Sequence, residues 1–405
     1  MDMLQVVKRL RQRPQGKIVL LVFDGLGGLP RVPGGPTELE SAHKPNLDAL
    51  AAEATCGLLD NVLTGLTPGS GPAHLGLFGY DPLVYDIGRG LLGALGIGFP
   101  IQPGDMAVRV NFCTVDSKTG FVTDRRAGRI STETNEKLVA LLNERVKIPG
   151  CEVFVRTEKE HRACVVFRAP DLYDGITETD PQSEGKEPPR PPAATDERST
   201  KAAQFVASFA RQAAEALKDQ HPANNLLLRG FARYEKIPLL TEIYDLRFAA
   251  IATYPMYRGV ASLVGMDVLH DAGDTLESEL DCLERHFDEY DFFFLHVKKT
   301  DSYGEDGNWD GKVHVIEEAD KLIPRVRALD PGVLCVTADH STPCVLKMHS
   351  WHPVPVALWA RWGRPDGTES FGERACGRGA LGRMRGIHLM PLLVAHALGL
   401  EKYGA

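Results

Sequence analysis

The chain has 405 residues, of which 43% are hydrophobic and 25% are charged, a balance typical of a globular protein with a substantial core. Its formal net charge of −8 argues against a general nucleic-acid-binding protein, which would carry a basic surplus. Its eight cysteines include no CxxC pair, and no apolar run reaches the roughly 20 residues that cross a bilayer. We therefore expect a cytoplasmic protein without nucleic-acid or membrane partners, while the oligomeric state stays open.

The N-terminal part of the chain predicts a strand that ends on an acid. Residues 1–16 are basic without a following apolar stretch, which indicates a tail or a short helix. The run KIVLLVF at residues 17–23 is typical of a buried parallel strand, and Asp24 and a glycine-rich turn follow it at once. Ligands collect at the carboxyl ends of strands in open α/β sheets, so Asp24 is a candidate site residue.

Residues 64–104 are rich in glycine, as expected for tight turns or for backbone that approaches a ligand closely. Ser70 lies between two glycines in PGSGPAH, where a turn would expose its hydroxyl as a nucleophile. The alternative is that Ser70 is only a polar residue in a turn. His74 either faces the same site or caps the helix that follows.

The middle of the chain has a different pattern. From about Met106, alternating stretches such as AVRVNFCTV and ACVVFRA predict an antiparallel sheet. Units of buried strand and helix return near residue 271. We therefore predict an α/β domain of residues 17–105 and 271–405, interrupted by an inserted α+β domain of residues 106–270.

Two later apolar runs, DFFFLHV and GVLCVTA, also precede acids. In a parallel sheet their carboxyl ends would lie at the same edge as Asp24. The acids and imidazoles near these two strand ends are Asp301, Glu305, Asp339, His340 and His349. Carboxylates mixed with imidazoles suit Mn²⁺, Zn²⁺ or similar ions, and there are enough of them to hold two.

Cationic side chains could bind an anionic substrate at such a site. The segment DRRAGRI supplies Arg125, Arg126 and Arg129, and YRG supplies Arg258. Arginine binds phosphate and carboxylate through two parallel hydrogen bonds, although a short arginine run is more often a solvated surface. Lys298, close to Asp301, could neutralise either the acid or the substrate.

Several ordered motifs resemble the archaeal-type branch of the cofactor-independent (2,3-bisphosphoglycerate-independent) phosphoglycerate mutases, in the alkaline phosphatase superfamily. They include VFDGLGG, TPGSGPAHLGLFGYDP, DRRAGRI, LLLRGFA, MYRGVASLVGMDV, HVKKTDSYGEDG and TADHSTPCVLKMHSWHPVPV. The resemblance runs from about Lys17 to the C-terminus. It implies an alkaline-phosphatase-like sheet sandwiched by helices, an inserted domain that acts as a lid, and two divalent ions without bisphosphoglycerate. Mn²⁺ is the first expectation, with Zn²⁺, Co²⁺ or Mg²⁺ as alternatives.

The resemblance also implies a role for each candidate. One ion would be held by Asp24, Ser70, Asp339 and His340, and the other by Asp301, Glu305 and His349. The family has histidine where this chain has Glu305. Ser70 would form a phosphoserine while 3-phosphoglycerate and 2-phosphoglycerate interconvert, and Lys298 would stabilise the transferring charge. The residues implied to bind the substrate are His74, Arg125, Arg126, Arg129 and Arg258.

Two alternatives stay open at this point. One is a related phosphotransferase or phosphohydrolase that acts on another small hydroxy acid, for example a homoserine kinase-like enzyme. The other is a non-catalytic metal-binding relative that has kept the fold. Ser70 and the arginines favour an enzyme.

Overall fold

The computed structural model describes residues 3–85 and 87–404 of the chain. Its strands, in chain order, are β1 (Ile18–Phe23), β2 (Thr55–Asp60), β3 (Met106–Val115), β4 (Val122–Asp124), β5 (Glu152–Lys159), β6 (Arg162–Arg168), β7 (Asn225–Arg233), β8 (Phe248–Ile251), β9 (Asp267–Val268), β10 (Phe292–Val297), β11 (Val333–Ala338), β12 (Val354–Ala360) and β13 (Gly382–Arg385).

The helices of the described residues are α1 (Met3–Leu10), α2 (Glu38–Ser41), α3 (Pro45–Ala52), α4 (Ser70–Leu77), α5 (Arg89–Gly96), α6 (Thr132–Arg145), α7 (Thr200–Leu217), α8 (Leu240–Tyr244), α9 (Pro255–Leu263), α10 (Leu276–His286), α11 (Lys299–Asp306), α12 (Trp309–Asp320), α13 (Ile323–Ala328), α14 (Glu373–Cys376) and α15 (Leu389–His396). Short 3₁₀ turns lie at Ala127–Arg129, Glu197–Ser199 and Gly386–His388. Among these helices, none combines the length and the apolar character that crossing a membrane requires.

The chain folds into two compact units. The larger unit contains the described residues before Ile87 and those after Lys236, and the smaller unit is Ile87–Lys236. The sequence predicted the insertion at residues 106–270, so both of its boundaries differ from this division. The chain thus leaves the larger unit at Ile87 and returns to it at Ile237.

The first boundary differs because α5 packs on the sheet of the smaller unit. A Cβ atom at Gly90 would lie 2.6 Å from the Val108 Cα and 2.6 Å from the Gly230 carbonyl oxygen, so only glycine permits this approach. The second boundary differs because β8 pairs in parallel with β10 and therefore belongs to the large sheet. Both differences have one cause, since nothing in the local sequence of the glycine-rich helix α5 or of the short strand β8 shows which elements they pack against or pair with.

The larger unit is built on an eight-stranded mixed sheet in the order β13-β2-β12-β11-β1-β10-β8-β9. Strand β1 lies at its centre and pairs in parallel with β10 on one side and β11 on the other. Strand β12 is antiparallel to both of its neighbours, β11 and β2. This arrangement confirms the predicted α/β fold class.

The residues that directly follow β1, β10 and β11 lie next to one another, because these three strands end in register. Every residue of β1, β10 and β11 is buried, in agreement with their uninterrupted apolar sequences. Phe23 of β1 is in register with Val297 of β10 and with Ala338 of β11. The next residues, Asp24, Lys298 and Asp339, therefore emerge side by side at the carboxyl edge of the sheet.

The smaller unit has an antiparallel sheet of five strands around β3. Strand β6 pairs with the first part of β3 and β4 with its end, while β7 pairs along its length and β5 lies outside β6. Apolar side chains of α6 and α7 join the buried core of this sheet. The predicted antiparallel α+β character of the insertion is therefore present.

Glu279, in the first turn of α10, is a buried carboxyl group that is only 3% exposed. Burial raises the pKa of Glu279 to about 8, and the positive charge of Arg258 offsets this effect only in part. Between about pH 4.5 and pH 8 the unfolded chain loses a proton that the folded protein keeps. The contribution of Glu279 to stability therefore falls as the pH rises through this window.

We expect the Glu279→Gln substitution, which removes this ionisation, to raise the free energy of unfolding at pH 8 by on the order of 2–4 kcal/mol. The gain at pH 5 should be much smaller. Chemical denaturation at both pH values measures the difference. The matched control is Glu277→Gln, an exposed position in the same turn, which should give the same small effect at both. Equal effects of Glu279→Gln at pH 5 and pH 8 would contradict the prediction.

Candidate metal centre

Asp24 and Asp339 each have one hydrogen-bonded carboxylate oxygen and one oxygen without a partner in the described part of the chain. Asp24 Oδ2 accepts hydrogen bonds from the Tyr257 hydroxyl and, at 2.6 Å, from Lys298 Nζ. Asp339 Oδ1 accepts from the backbone N–H groups of Gly25 and His340, both at 2.9 Å. Both side chains are fully buried, so the two remaining oxygens are shielded from bulk solvent. Buried oxygens of this kind call for a cation or protons.

His340 supplies a nitrogen between these two oxygens. Its Nδ1 lies 3.0 Å from Thr342 Oγ1, and the threonine hydroxyl donates to Asp301 Oδ1 at 2.9 Å. Because the threonine oxygen then accepts from Nδ1–H, we assign Nε2 as the unprotonated nitrogen. Burial lowers the pKa of His340 well below its usual value, so the imidazole is neutral.

The three donor atoms converge. His340 Nε2 lies 3.4 Å from Asp24 Oδ1 and 3.2 Å from Asp339 Oδ2, and donor atoms of all three residues lie within 4.8 Å of one another. Burial raises the pKa of Asp24 to about 6 and that of Asp339 well above its usual range, and the charge of Asp301 adds to the effect on both. We call Asp24, Asp339 and His340 the first cluster, and its donor set fits a divalent ion.

Ser70 adds a hydroxyl to the first cluster. It is the first residue of α4, and its Oγ lies 3.2 Å from His340 Nε2. The side chain is 7% exposed, so Ser70 is buried at a helix N-terminus and does not stand free in a turn as the glycines suggested. The N-terminus of a helix favours negative charge, which suits an ionised hydroxyl or a phosphate.

A second cluster consists of Asp301, His340 and His349, whose donor atoms also lie within 4.8 Å of one another. Asp301 Oδ1 is 3.4 Å from His349 Nε2, while His349 Nδ1 donates to the Pro68 carbonyl at 3.0 Å. The rings of His340 and His349 stack at 3.7 Å between centroids. The sequence suggested that Asp301 directly follows a strand. In the structure it lies in the first turn of α11 instead.

Glu305 lies at the edge of the second cluster. It follows Asp301 by one helical turn on α11, so both residues share a helix face. Its Oε1 is 4.0 Å from His349 Nε2, and its side chain is 58% exposed. The structure thus places Glu305 beside the second cluster, with room to move toward it.

Lys298 joins the two clusters. Its ammonium lies 2.6 Å from Asp24 Oδ2 and 2.9 Å from Asp301 Oδ2, and 23% of its side chain is exposed. Burial acts to lower the pKa of Lys298, but the two carboxylates outweigh burial and raise it, so the side chain stays charged. Burial likewise acts to raise the pKa of Asp301, but His349 and Lys298 hold it well below its usual range.

His74 lies one helical turn after Ser70 on α4. Its side chain is fully buried, and its Nδ1–H donates to the Ser70 carbonyl oxygen one helical turn earlier, at 2.8 Å. Burial lowers the pKa of His74 to about 4, so the imidazole is neutral. His74 thus supports the Ser70 turn from within the core, and its contact with the substrate stays a prediction.

Two residues that support the site were missed by the sequence analysis. The ammonium of Lys312, fully buried on α12, donates to the carbonyl oxygens of Gly25, Gly27 and Thr342 at 2.8, 3.1 and 2.9 Å. A signal existed for Lys312, because its position shares a helix face with the apolar residues of α12. Tyr257 donates a hydrogen bond to Asp24. In the sequence, only its position inside the motif MYRGVASLVGMDV pointed to a role at the site.

The predicted substrate arginines fall in both units. Arg258 is in the larger unit on α9, where its Nε donates to the Ala252 carbonyl at 2.7 Å. In the smaller unit, Arg125 forms two hydrogen bonds of 2.9 and 2.7 Å with the buried carboxylate of Asp180. Arg126 and Arg129 are exposed there.

A positively charged cluster surrounds His161 in the smaller unit. Burial, followed by the charges of nearby arginines, lowers the pKa of the His161 imidazole to about 4. In decreasing order of effect these arginines are Arg162, Arg126, Arg109 and Arg129. Arg109 and Arg162 lie in β3 and β6, apart from the DRRAGRI segment, so no local sequence pattern groups them with its arginines.

Comparison with known proteins assigns a family to this geometry. A family model described as 2,3-bisphosphoglycerate-independent phosphoglycerate mutase matches residues 51–224. A protein of Thermus thermophilus, named a probable 2,3-bisphosphoglycerate-independent phosphoglycerate mutase, is 52% identical over 408 residues that cover all of both chains. The chain belongs to this family. The resemblance read from its motifs is therefore confirmed, and the family places the chain among the isomerases.

Solved structures agree with the family assignment. The cofactor-independent phosphoglycerate mutase from Thermoplasma acidophilum matches with a TM-score of 0.71 and 30% identity, covering 95% of this chain and all of that one. The PH0037 protein from Pyrococcus horikoshii matches with a TM-score of 0.83 and 30% identity, covering 97% and 100%. Among sequence relatives without regard to structure, an Aquifex aeolicus protein named a probable 2,3-bisphosphoglycerate-independent phosphoglycerate mutase is 48% identical over 409 residues, covering 99% of this chain and all of that one.

Proposed function

We propose that this chain interconverts 3-phosphoglycerate and 2-phosphoglycerate through a phosphoserine on Ser70, with two divalent ions and without bisphosphoglycerate. The observation that carries the proposal is the convergence of two unpartnered carboxylate oxygens and the unprotonated His340 Nε2 beside Ser70 Oγ. The substrate would be a small phosphorylated hydroxy acid, and we expect the enzyme to work in the cytoplasm.

The first cluster, with Ser70, would hold one ion through His340 Nε2 and the two carboxylates. Asp301 and His349 of the second cluster would hold the other ion with help from Glu305. Oxygen and imidazole donors suit Mn²⁺, which we expect first, with Zn²⁺, Co²⁺ or Mg²⁺ as alternatives. When bound, such ions would lower the pKa of the Ser70 hydroxyl and neutralise charge on the transferring phosphoryl group.

The reaction needs one nucleophile and two exchanges of a phosphoryl group. The Ser70 hydroxyl gives up its proton and Oγ forms a bond to phosphorus as the bond to the 3-oxygen of the substrate breaks, and the 3-oxygen takes up a proton. The glycerate then turns and its 2-hydroxyl gives up its proton. The 2-oxygen forms the new bond to phosphorus as the bond to Ser70 Oγ breaks and Oγ is protonated again. Lys298 would stabilise negative charge on the transferring oxygens, because its ammonium lies between Asp24 and Asp301.

The glycerate must stay bound while it turns, because its loss would leave the phosphoserine open to water. We propose that Arg125, Arg126 and Arg129 of the smaller unit bind the carboxylate or phosphate of the substrate, together with Arg109 and Arg162. Arginine pairs with these anions through parallel hydrogen bonds. For Arg258, which already bonds to backbone in the larger unit, we propose a weaker contribution.

Phosphorus NMR of the purified protein with 3-phosphoglycerate and Mn²⁺ tests this function. The expected result is the signal of 2-phosphoglycerate, growing to a constant ratio with no added bisphosphoglycerate. Release of inorganic phosphate alone would instead make the chain a phosphohydrolase. An unchanged substrate signal with Mn²⁺, Zn²⁺ and Co²⁺ would contradict the proposal and direct the search to ATP-dependent phosphorylation of other hydroxy acids.

We expect Glu305→Gln to weaken Mn²⁺ binding at the second cluster roughly tenfold, or about 1.4 kcal/mol, because a neutral amide replaces an anionic donor near His349. Isothermal titration with Mn²⁺ measures this change. The control is Asp306→Asn, an exposed acid at the next position, which should bind as the wild type does. If both variants bind Mn²⁺ equally well, Glu305 is not a ligand.

A further inference from the structure

Tyr257 lies beneath the first cluster and contacts one of its carboxylates. The side chain projects from α9, is only 1% exposed, and donates its hydroxyl proton to Asp24 Oδ2. Asp24 Oδ2 therefore receives two hydrogen bonds, one from Tyr257 and one from Lys298. The other oxygen, Oδ1, has no partner in the described residues and lies 3.4 Å from His340 Nε2.

The two donors on Asp24 differ in exposure and in their partners. Lys298 has a long side chain that is 23% exposed, and it bonds to Asp301 as well as to Asp24. Tyr257 has a rigid ring in the core, whose hydroxyl bonds to Asp24. A substrate phosphate would compete with Asp24 for Lys298, so we expect the hydroxyl of Tyr257 to be the steadier donor to Asp24.

The ring of Tyr257 rests on His296 of β10. The two rings stack with 3.7 Å between centroids and an interplanar angle of 27°. His296 is fully buried, and within the described residues neither of its ring nitrogens has a hydrogen-bond partner. Burial lowers the pKa of His296 well below its usual value, so a neutral, flat ring supports the tyrosine.

We propose that Tyr257 is a positioning residue for the first cluster, whose hydroxyl fixes the Asp24 carboxylate so that Oδ1 faces the divalent ion, while His296 holds the tyrosine ring in place. This inference rests on the metal site proposed above. A hydrogen bond to the oxygen of a ligand carboxylate that does not bind the metal orients that carboxylate. The loss of such a hydrogen bond commonly lowers metal affinity by about 10- to 100-fold.

The test is Mn²⁺ binding to the full chain. Binding is measured by isothermal titration calorimetry and by the electron paramagnetic resonance signal of free Mn²⁺. The Asp339→Asn variant identifies which of the two binding steps belongs to the first cluster. Tyr257→Phe should weaken that step about tenfold or more and leave the step of the second cluster within about twofold. The control is Tyr80→Phe, which removes a buried hydroxyl that donates to the Pro238 carbonyl and should leave both steps unchanged.

Variants of His296 test the second part of the inference. His296→Phe keeps a flat ring under Tyr257 and should retain wild-type Mn²⁺ affinity. His296→Ala removes the ring and should weaken the first-cluster step as Tyr257→Phe does. The double variant Tyr257→Phe/His296→Ala should be no worse than Tyr257→Phe alone, because both changes would act through one contact. Additive losses would overturn the role of His296.

Two outcomes separate failure of this inference from failure of the metal site. If Mn²⁺ binding in the wild type has no step that depends on Asp339, the proposed first-cluster site is wrong and the inference falls with it. If that step exists and Tyr257→Phe leaves it unchanged, the site stands and the role of Tyr257 is overturned. A loss shared equally by both binding steps would also overturn it, since a general structural weakening does not select one cluster.

Discussion

The Ser70→Ala variant should lose the interconversion of the two phosphoglycerates, with kcat lowered by roughly 10⁴-fold or more. Ser70 Oγ is the hydroxyl placed beside His340 Nε2 and the unpartnered carboxylate oxygens, and alanine leaves no atom to receive the phosphoryl group. Steady-state assays in both directions measure the loss. Mass spectrometry of the wild type quenched with substrate should find phosphate on Ser70.

A control separates chemistry from folding in this experiment. Ser41→Ala removes another serine hydroxyl of the larger unit, which bonds to the Thr37 carbonyl at 2.7 Å, and it should keep wild-type activity. The far-UV circular dichroism of Ser70→Ala should match the wild type. Retention of mutase activity by Ser70→Ala would exclude the phosphoserine route and direct attention to another nucleophile.

The Lys298→Met variant should lower kcat by about 10²- to 10³-fold while binding Mn²⁺ at least as tightly as the wild type. The reason lies in the position of the ammonium, 2.6 Å from Asp24 Oδ2 and 2.9 Å from Asp301 Oδ2. A cation so close to two ligands repels a divalent ion, so its removal favours ion binding. Its removal also takes away the positive charge that would stabilise the transferring oxygens.

Lys299→Met provides the matched control, because Lys299 is the adjacent lysine and its side chain is exposed. Its kcat and its Mn²⁺ affinity should both equal those of the wild type. A catalytic cation at position 298 predicts that Lys298→Met lowers kcat while Mn²⁺ affinity rises or stays the same. If Lys298→Met instead loses Mn²⁺ binding and turnover together, the lysine has a structural role.

The carboxyl edge of the sheet was largely predictable from the sequence. Apolar runs of six or seven residues indicated buried parallel strands, and such strands end at one level, so the grouping of Asp24 with Asp339 and His340 followed from pattern and topology. The register of Phe23 with Val297 and Ala338 provides that level. Which oxygen of each acid stays unpartnered was beyond the sequence, since it depends on single hydrogen bonds from Gly25, His340 and Tyr257.

Other features depended on contacts between distant residues and were missed or misplaced. Ser70 was expected in an exposed turn because its glycine neighbours suggest one, whereas packing buries it at the start of α4. The boundary predicted near residue 106 differs from the division into compact units because nothing local shows that Gly90 of α5 lies against Val108. Buried lysine is rare, so Lys312 was not expected to bond three carbonyl groups in the core.

The unpartnered oxygens of Asp24 and Asp339 have a consequence for the lifetime of the protein. Carboxylate oxygens buried without partners oppose folding, and an ion held at the proposed site would remove this opposition only in the native state. At an ion concentration about 1,000 times the Kd, this linkage adds about 4.1 kcal/mol to the free energy of unfolding. Metal supply should therefore govern abundance as well as turnover, because copies that fold without ions would be the first to be unfolded and degraded.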